Sequence, residues 1–489
     1  MSETQSSKPK LFKRPVILLL VTLLAAVVTF VTAMVLVDVF SKKQESGNTF
    51  SQVVDQTEDT VDPAIWGQNF PIQYEMYKKT AEFTPSRHGG TLQPHNVEGD
   101  PRTEVASSKI EEDPRLVTMW DGYAFAVDYR HARGHEYMTI DQQYTRRNLE
   151  FKQPGTCLNC HASMPAIYKE LGNGDTNAGF EAIGKIPLKE AMEYAEHPVS
   201  CIDCHDPETM ALRITRPAFE RGIAALKASE GIADYDVNRD ATHQDMRTYV
   251  CAQCHVEYYF DGEDKILTFP WSKGLDIDEI WEYYMEDGHR DWTHARTGAQ
   301  IVKAQHPEYD IWAQGVHAEN GVTCADCHMN YTREGAMKVT NHHITSPLAD
   351  INASCGTCHN NTGDGTLEQR VATIQDRFIE SRDIAMDALV ALINDLEKAQ
   401  SDGTPVERIE LAREFQNKSS FYVDYVYSEN SYGFHAPDYT QRILNQATDA
   451  ARKGQLALKG ATAEELAASD ITTANLAESV RNNQGGTSE

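Results

Sequence analysis

The chain has 489 residues with 45 basic against 73 acidic side chains, a formal net charge of -28. That balance excludes nucleic acid as a partner, because a phosphate backbone needs a basic face, while the length allows about three ordinary domains. The ten cysteines exclude a scatter of unrelated thiols: every one belongs to a Cys-x-x-Cys-His unit.

In chain order, residues 1–15 form a basic segment carrying Lys8, Lys10, Lys13 and Arg14, expected on the cytoplasmic side. Residues 16–40 contain the uncharged run Val16 to Val37, which at about 1.5 Å per residue is long enough to cross a hydrocarbon core. A cleaved signal has a shorter apolar region of roughly 7–15 residues, and Val31-Thr32-Ala33 could serve as its cleavage site. The length favours a retained membrane anchor; under either reading the remainder is exported, to the periplasmic face. Residues 41–62 are polar and acidic and read as a linker.

The body is expected over 63–460. Ile65 to Asp100, with Pro85, Gly89-Gly90 and Pro94, reads as short turns and loops. Arg115 to Tyr129 is apolar and aromatic and reads as packing around a cofactor. His135 follows, either a partly exposed histidine or a distal iron ligand. Then come Cys157/Cys160/His161, Cys201/Cys204/His205, Cys251/Cys254/His255, Cys324/Cys327/His328 and Cys355/Cys358/His359.

Structural zinc and a disulfide framework both use even numbers of cysteine. Neither explains a histidine after every second cysteine, and an odd number of units cannot pair into zinc knuckles. Covalent haem does explain it: two thiols form thioethers to the porphyrin vinyls and the adjoining imidazole binds iron. The cofactor expectation is therefore five haem c. The units are unequally spaced, which argues against a modular array and for one shared core.

Helical runs are expected at Leu188 to Glu196 and Asp276 to Asp287. The third motif continues into Val256-Glu257-Tyr258-Tyr259-Phe260, placing a carboxylate and phenols beside a haem. His306 precedes Pro307, which holds it extended at a helix end or turn; read alone, it is either a surface histidine or one that points into a pocket. After His359 the spacing of apolar residues predicts long amphipathic helices over Glu368–Lys398, Val406 to about Tyr427 and Asp438–Lys459, with breaks at Asp402-Gly403-Thr404-Pro405 and from Ser431 to Pro437. They suit an antiparallel bundle or a dimer seam. Residues 461–489 are a polar tail, expected to fray. The fold class expected is mainly α with little β, a compact multihaem cytochrome c fold with five haems in one core and long C-terminal helices.

Five proximal histidines leave thirteen of the eighteen for distal ligation, so supply alone cannot identify an open iron.

The five motifs, His255-Val256-Glu257-Tyr258-Tyr259-Phe260, Lys303-Ala304-Gln305-His306-Pro307 and Phe434-His435-Ala436-Pro437 together resemble the pentahaem cytochrome c nitrite reductases, the ammonia-forming enzymes. The likeness runs from roughly Ile65 to Lys459. It implies that the haem at Cys157/Cys160 binds nitrite on an open distal side while four bis-histidine haems relay electrons. The distal ligands implied are His342 for Cys201/Cys204, with His343 adjacent, His135 for Cys251/Cys254, His435 for Cys324/Cys327 and His317 for Cys355/Cys358. The implied catalytic residues are Arg147, with Arg146 as its competitor, Tyr258 and His306. One calcium ion would take the side chains of Glu257 and Gln305 and the carbonyls of Tyr258 and Lys303, all oxygen donors as a hard cation prefers.

Many members of that family carry lysine where this chain has His161, and the axial donor is one lever on haem reactivity. The resemblance implies six-electron reduction of nitrite to ammonium, a membrane quinol-oxidising multihaem cytochrome as donor, and a homodimer through the C-terminal helices. The rival class is a non-enzymatic electron carrier with every iron bis-histidine ligated.

Overall fold

The computed structural model describes residues 13–47, 52–89, 97–102, 104–335, 337–359 and 365–468. The N-terminal unit contains a single helix, Lys13–Gly47. Its stretch Ile17–Phe40 has a mean hydropathy of 2.7 and none of it is buried, as a membrane anchor or a signal sequence requires. The helix continues past Phe40 into residues expected to be linker.

The main unit is helical, and strands occur as short antiparallel pairs such as Tyr259–Asp261 with Ile266–Thr268 and Trp292–Thr293 with Gln300–Ile301. Around the attachment motifs most helices are single turns, because each thioether motif needs only one turn to bring two thiols and an imidazole to one face. The turns are fixed locally. Asp203, inside the second motif, accepts a hydrogen bond from Ser200 N at 2.7 Å. Asp326, inside the fourth, accepts from Thr323 N at 2.8 Å while its own N–H donates to Thr323 Oγ1. These are reciprocal capping boxes.

Two expectations need correction here. The run Leu188 to Glu196 forms only the turn Leu188–Ala191, because the chain is drawn off to let His197 O accept from Ser163 N at 3.0 Å. The tail is not wholly frayed: Ala463–Ala468 is helical and Leu466 is buried. Residues 469–489 lie outside the described part. The run at Asp276 holds as Ile277–Asp287, capped by Asp276 and closed by Gly288 at φ +79°.

The three long helices are Thr366–Ser401, Val406–Ser428 and Pro437–Leu458. Gly403 at φ +75° reverses the chain after the first, and Pro405 and Pro437 precede or open the others. Leu389, Leu392, Ile393 and Leu396 of the first are wholly buried. The second is buried nearly all round from Asn417 to Val426, so it lies at the centre of the bundle. Its Phe421, Tyr422 and Val426 join a core with Leu116, Met119, Trp120 and Tyr129, the aromatic segment of the sequence. A second core, with Leu158, Tyr168, Phe180, Phe219 and Trp271, takes in residues of the first and third motifs.

Arg216 ties two motifs together. It is 1 % exposed, pairs with buried Asp203 at 2.8 Å and donates to Asn159 O at 2.6 Å and Ala162 O at 3.0 Å. Breaking such a pair from one side costs about 3–5 kcal/mol, because the other charge stays buried. The carbonyls flanking His161 are thereby fixed.

Candidate active site

None of the ten cysteines is in a disulfide. The thiols of Cys160 and Cys254 are electrostatic neighbours, as are those of Cys251 and Cys324. Cys204 lies in the field of Cys251 and Cys254, and Cys327 in that of Cys355 and Cys358. The third motif is therefore a hub, adjacent to the first, second and fourth, with the fifth beyond the fourth.

Four motif histidines each face a second histidine. Ring centres are 6.3 Å apart for His205 and His342, and 6.4 Å apart for His255 and His135, His328 and His435, and His359 and His317. An imidazole nitrogen sits about 1.2 Å from its ring centre and binds a transition-metal ion at about 2.0–2.1 Å. Two imidazoles on opposite faces of one ion then have centres about 6.4–6.6 Å apart, and the four spacings, 6.3 and 6.4 Å, are close to that for one iron each. His343 faces Glu82 and Lys79 instead.

Backbone carbonyls fix several of these rings. Nδ1 of His205 lies 3.0 Å from Met210 O, that of His328 2.9 Å from Thr345 O, and that of His342 2.9 Å from Thr340 O. A carbonyl only accepts, so Nδ1 carries the proton and Nε2 keeps the lone pair for a metal. Close backbone approach sets two others. A Cβ on Gly134 would meet Thr80 O at 1.8 Å, and one on Gly315 would meet His435 O at 2.1 Å.

Among the described residues no histidine ring stands at that spacing from His161. Its carbonyl accepts from Thr139 Oγ1 at 2.9 Å, and the Gln142 amide nitrogen lies 3.3 Å from both ring nitrogens. Burial pushes His161 down to about 3, and the fields of His306 and Arg147 add to this. Arg147 in turn feels Cys157 and Tyr258, and Tyr258 feels Cys160, Cys157 and Tyr123. The first motif, Arg147, Tyr258 and His306 thus share one pocket.

Arg147 donates weakly to Asp128 O at 3.4 Å and lies over the Phe125 ring at 4.9 Å, so most of its donors are uncommitted. Burial lowers its pKa from the ordinary arginine value. Arg146 is exposed and paired with Glu150 at 2.8 Å. Burial pushes His306 down to about 4, which keeps the imidazole neutral near pH 7. The Tyr258 phenol is raised well above its usual value by burial and by neighbouring thiols.

Beside this pocket Glu257 is fully buried. Its carboxylate accepts from Tyr284 Oη at 2.8 Å and Gln305 N at 2.7 Å. Burial raises it well above the carboxylate range. Among the described residues no lysine or arginine is within ion-pair distance; Lys303, which is close, pairs with Asp424 at 2.8 Å. A buried carboxylate without a counter-charge, beside Tyr258, Lys303 and Gln305, is chemistry suited to a hard cation.

Three contributors were not singled out in sequence. Tyr123 stacks on Trp292 at 4.6 Å and borders Tyr258. Glu308 lies 3.8 Å from His255 Nδ1, and Glu429 lies 2.7 Å from His435 Nδ1. Glu308 follows His306-Pro307 and could have been inferred from that proximity; Glu429 sits in a loop with no pattern.

Attachment motifs sharing a core, with histidines paired at iron-spanning distance, define a multihaem c-type cytochrome. The chain belongs to the cytochrome c552 family, whose profile matches residues 62–486. It is 35 % identical over 460 residues to a cytochrome c-552 of Bacteroides fragilis, covering 91 % of this chain and 87 % of that one. It is 33 % identical over 429 residues to a cytochrome c nitrite reductase subunit NrfA of Nitratidesulfovibrio vulgaris, covering 81 % and 78 %. The structure superposes on the catalytic subunit of a cytochrome c nitrite reductase from Desulfovibrio desulfuricans, described with two calcium sites, with a TM-score of 0.71 at 28 % identity over 84 % and 88 % of the two chains.

Proposed function

We propose that this chain is an ammonia-forming nitrite reductase with five haems, reducing nitrite with six electrons and eight protons to ammonium and two waters at the haem of Cys157, Cys160 and His161. The observation that carries this is the contrast between His161, which lies in the fields of His306 and Arg147, with Tyr258 near Arg147 and the motif's two thiols, and the four other motif histidines, which each meet a histidine.

A haem held there supplies the bond to the substrate nitrogen and the electrons. The protein's own groups do the rest. Arg147 keeps its positive charge in spite of burial and has free donors for an anionic oxygen. His306, neutral, offers a ring N–H to the same oxygens. Tyr258 keeps its phenolic proton and hands hydrogen bonds between them. Because the fold holds these donors in place, they act with little reorganisation.

His205/His342, His255/His135, His328/His435 and His359/His317 would hold four further haems, which would supply an electron relay, and the third motif lies next to the first, second and fourth. One calcium ion is held by the Glu257 and Gln305 side chains and the Tyr258 and Lys303 carbonyls, and fixes Tyr258 and His306 relative to each other. The N-terminal helix anchors the enzyme at the periplasmic face, a membrane quinol-oxidising multihaem cytochrome supplies the electrons, and the long C-terminal helices form a homodimer.

The test is stoichiometry. The purified holoprotein is expected to oxidise a reduced viologen dye on addition of nitrite and to yield one ammonium for every six electrons. Dye oxidation that yields no ammonium refutes the proposed reaction.

A further inference from the structure

Among the four histidine pairs, the Nδ1 partners differ. His205, His328 and His342 each face a backbone carbonyl at 2.9–3.0 Å. His135 Nδ1 is buried without a partner. His435 stands against a carboxylate: its Nδ1 is 2.7 Å from Glu429 Oε1, an ion-pair contact without hydrogen-bond alignment. Glu429 is 2 % exposed, and among the described residues no lysine or arginine pairs with it. Ser431 holds it in place, donating its N–H at 2.9 Å and its hydroxyl at 2.8 Å, and Gln375 holds Ser431 O at 3.1 Å. The Ser431 hydroxyl thus competes with the imidazole for the carboxylate, and it also accepts from His435 N at 3.0 Å.

We propose that Glu429 is a redox-tuning residue for the haem of Cys324/Cys327, lowering its potential below that of the haem of Cys201/Cys204. This rests on the reading of His435 as an iron ligand. A buried carboxylate against Nδ1 makes an imidazole a stronger donor and favours ferric iron, and low local dielectric enlarges the effect. The haem of Cys201/Cys204, with carbonyls on both imidazoles, is the internal reference. Glu308 lies 3.8 Å from His255 Nδ1 and acts on the hub imidazole in the same sense, so the comparison is made with the haem of Cys201/Cys204 alone.

The experiment is a redox titration of the holoprotein followed by optical and EPR spectra, comparing wild type with Glu429→Gln and Ser431→Ala at unchanged haem content. In Glu429→Gln one low-spin haem is expected to move to higher potential by about a tenfold change in its ferric-to-ferrous ratio, about 59 mV for one electron, with the others unmoved. In Ser431→Ala, which removes a donor that competes for the carboxylate, the same haem is expected to move the opposite way. A general loosening would not give opposite signs. If Glu429→Gln does not assemble, the sign in Ser431→Ala decides. His435→Ala is the control for the underlying reading: loss of one low-spin signal shows ligation, and unmoved midpoints in both variants then overturn the tuning. If His435→Ala leaves every low-spin signal intact, the ligand assignment fails and the tuning with it.

Discussion

Replacing Arg147 by alanine is expected to lower nitrite turnover per haem by about 100- to 1,000-fold, the loss typical of a preorganised donor to developing negative charge. Haem content and optical spectrum are expected to stay unchanged, because among the described residues Arg147 makes one weak bond to Asp128 O and no ion pair. His306→Ala is expected to fall by about 100-fold or more, in the range of a lost acid–base group. The control is Arg146→Ala. That side chain is exposed and paired along its own helix with Glu150, and such pairs contribute under about 0.5 kcal/mol. Equal losses for Arg146 and Arg147, or none for either, would remove the assigned arginine from the pocket. Steady-state viologen oxidation, with haem measured in each preparation, reads all three.

The second large effect concerns the cation. Glu257→Gln keeps the shape of the side chain and offers partners to Tyr284 and Gln305 N, but removes the charge. Calcium affinity is expected to fall by about 100-fold or more, as loss of a ligand exceeds the 10- to 100-fold typical of outer-shell changes. Activity is expected to fall with it and to be partly restored by added calcium. In the wild type, chelation is expected to lower both activity and the melting temperature, because an ion that binds only the folded protein stabilises it. Wild-type enzyme that retains full activity and melting temperature with metal-free content, verified by elemental analysis, would exclude a cation at Glu257.

Much of this arrangement could be read from residues alone, for a physical reason. Thioether chemistry fixes the order Cys-x-x-Cys-His, so each attachment turn was visible without any knowledge of the fold. The long helices were visible because Leu389, Leu392, Ile393 and Leu396 repeat at helical spacing and are all buried. The distal histidines were different. Each is brought to its partner by long-range packing, as with His342 and His205 or His435 and His328, and their assignment came from the family resemblance.

Local pattern misled where tertiary contacts cut a helix short, as at Leu188–Ala191. It was silent where a single loop acid matters, as at Glu429. The choice of Arg147 over Arg146 likewise depends on which side chain turns inward, and periodicity carries no information on neighbouring residues in one short helix.

The central claim is that the iron held by His161 is open on its far side. EPR of the fully oxidised holoprotein tests it most directly. The account predicts one high-spin ferric haem beside four low-spin haems, with the high-spin signal altered on addition of nitrite. Five low-spin haems that do not respond to nitrite would contradict it and would identify the chain as an electron carrier.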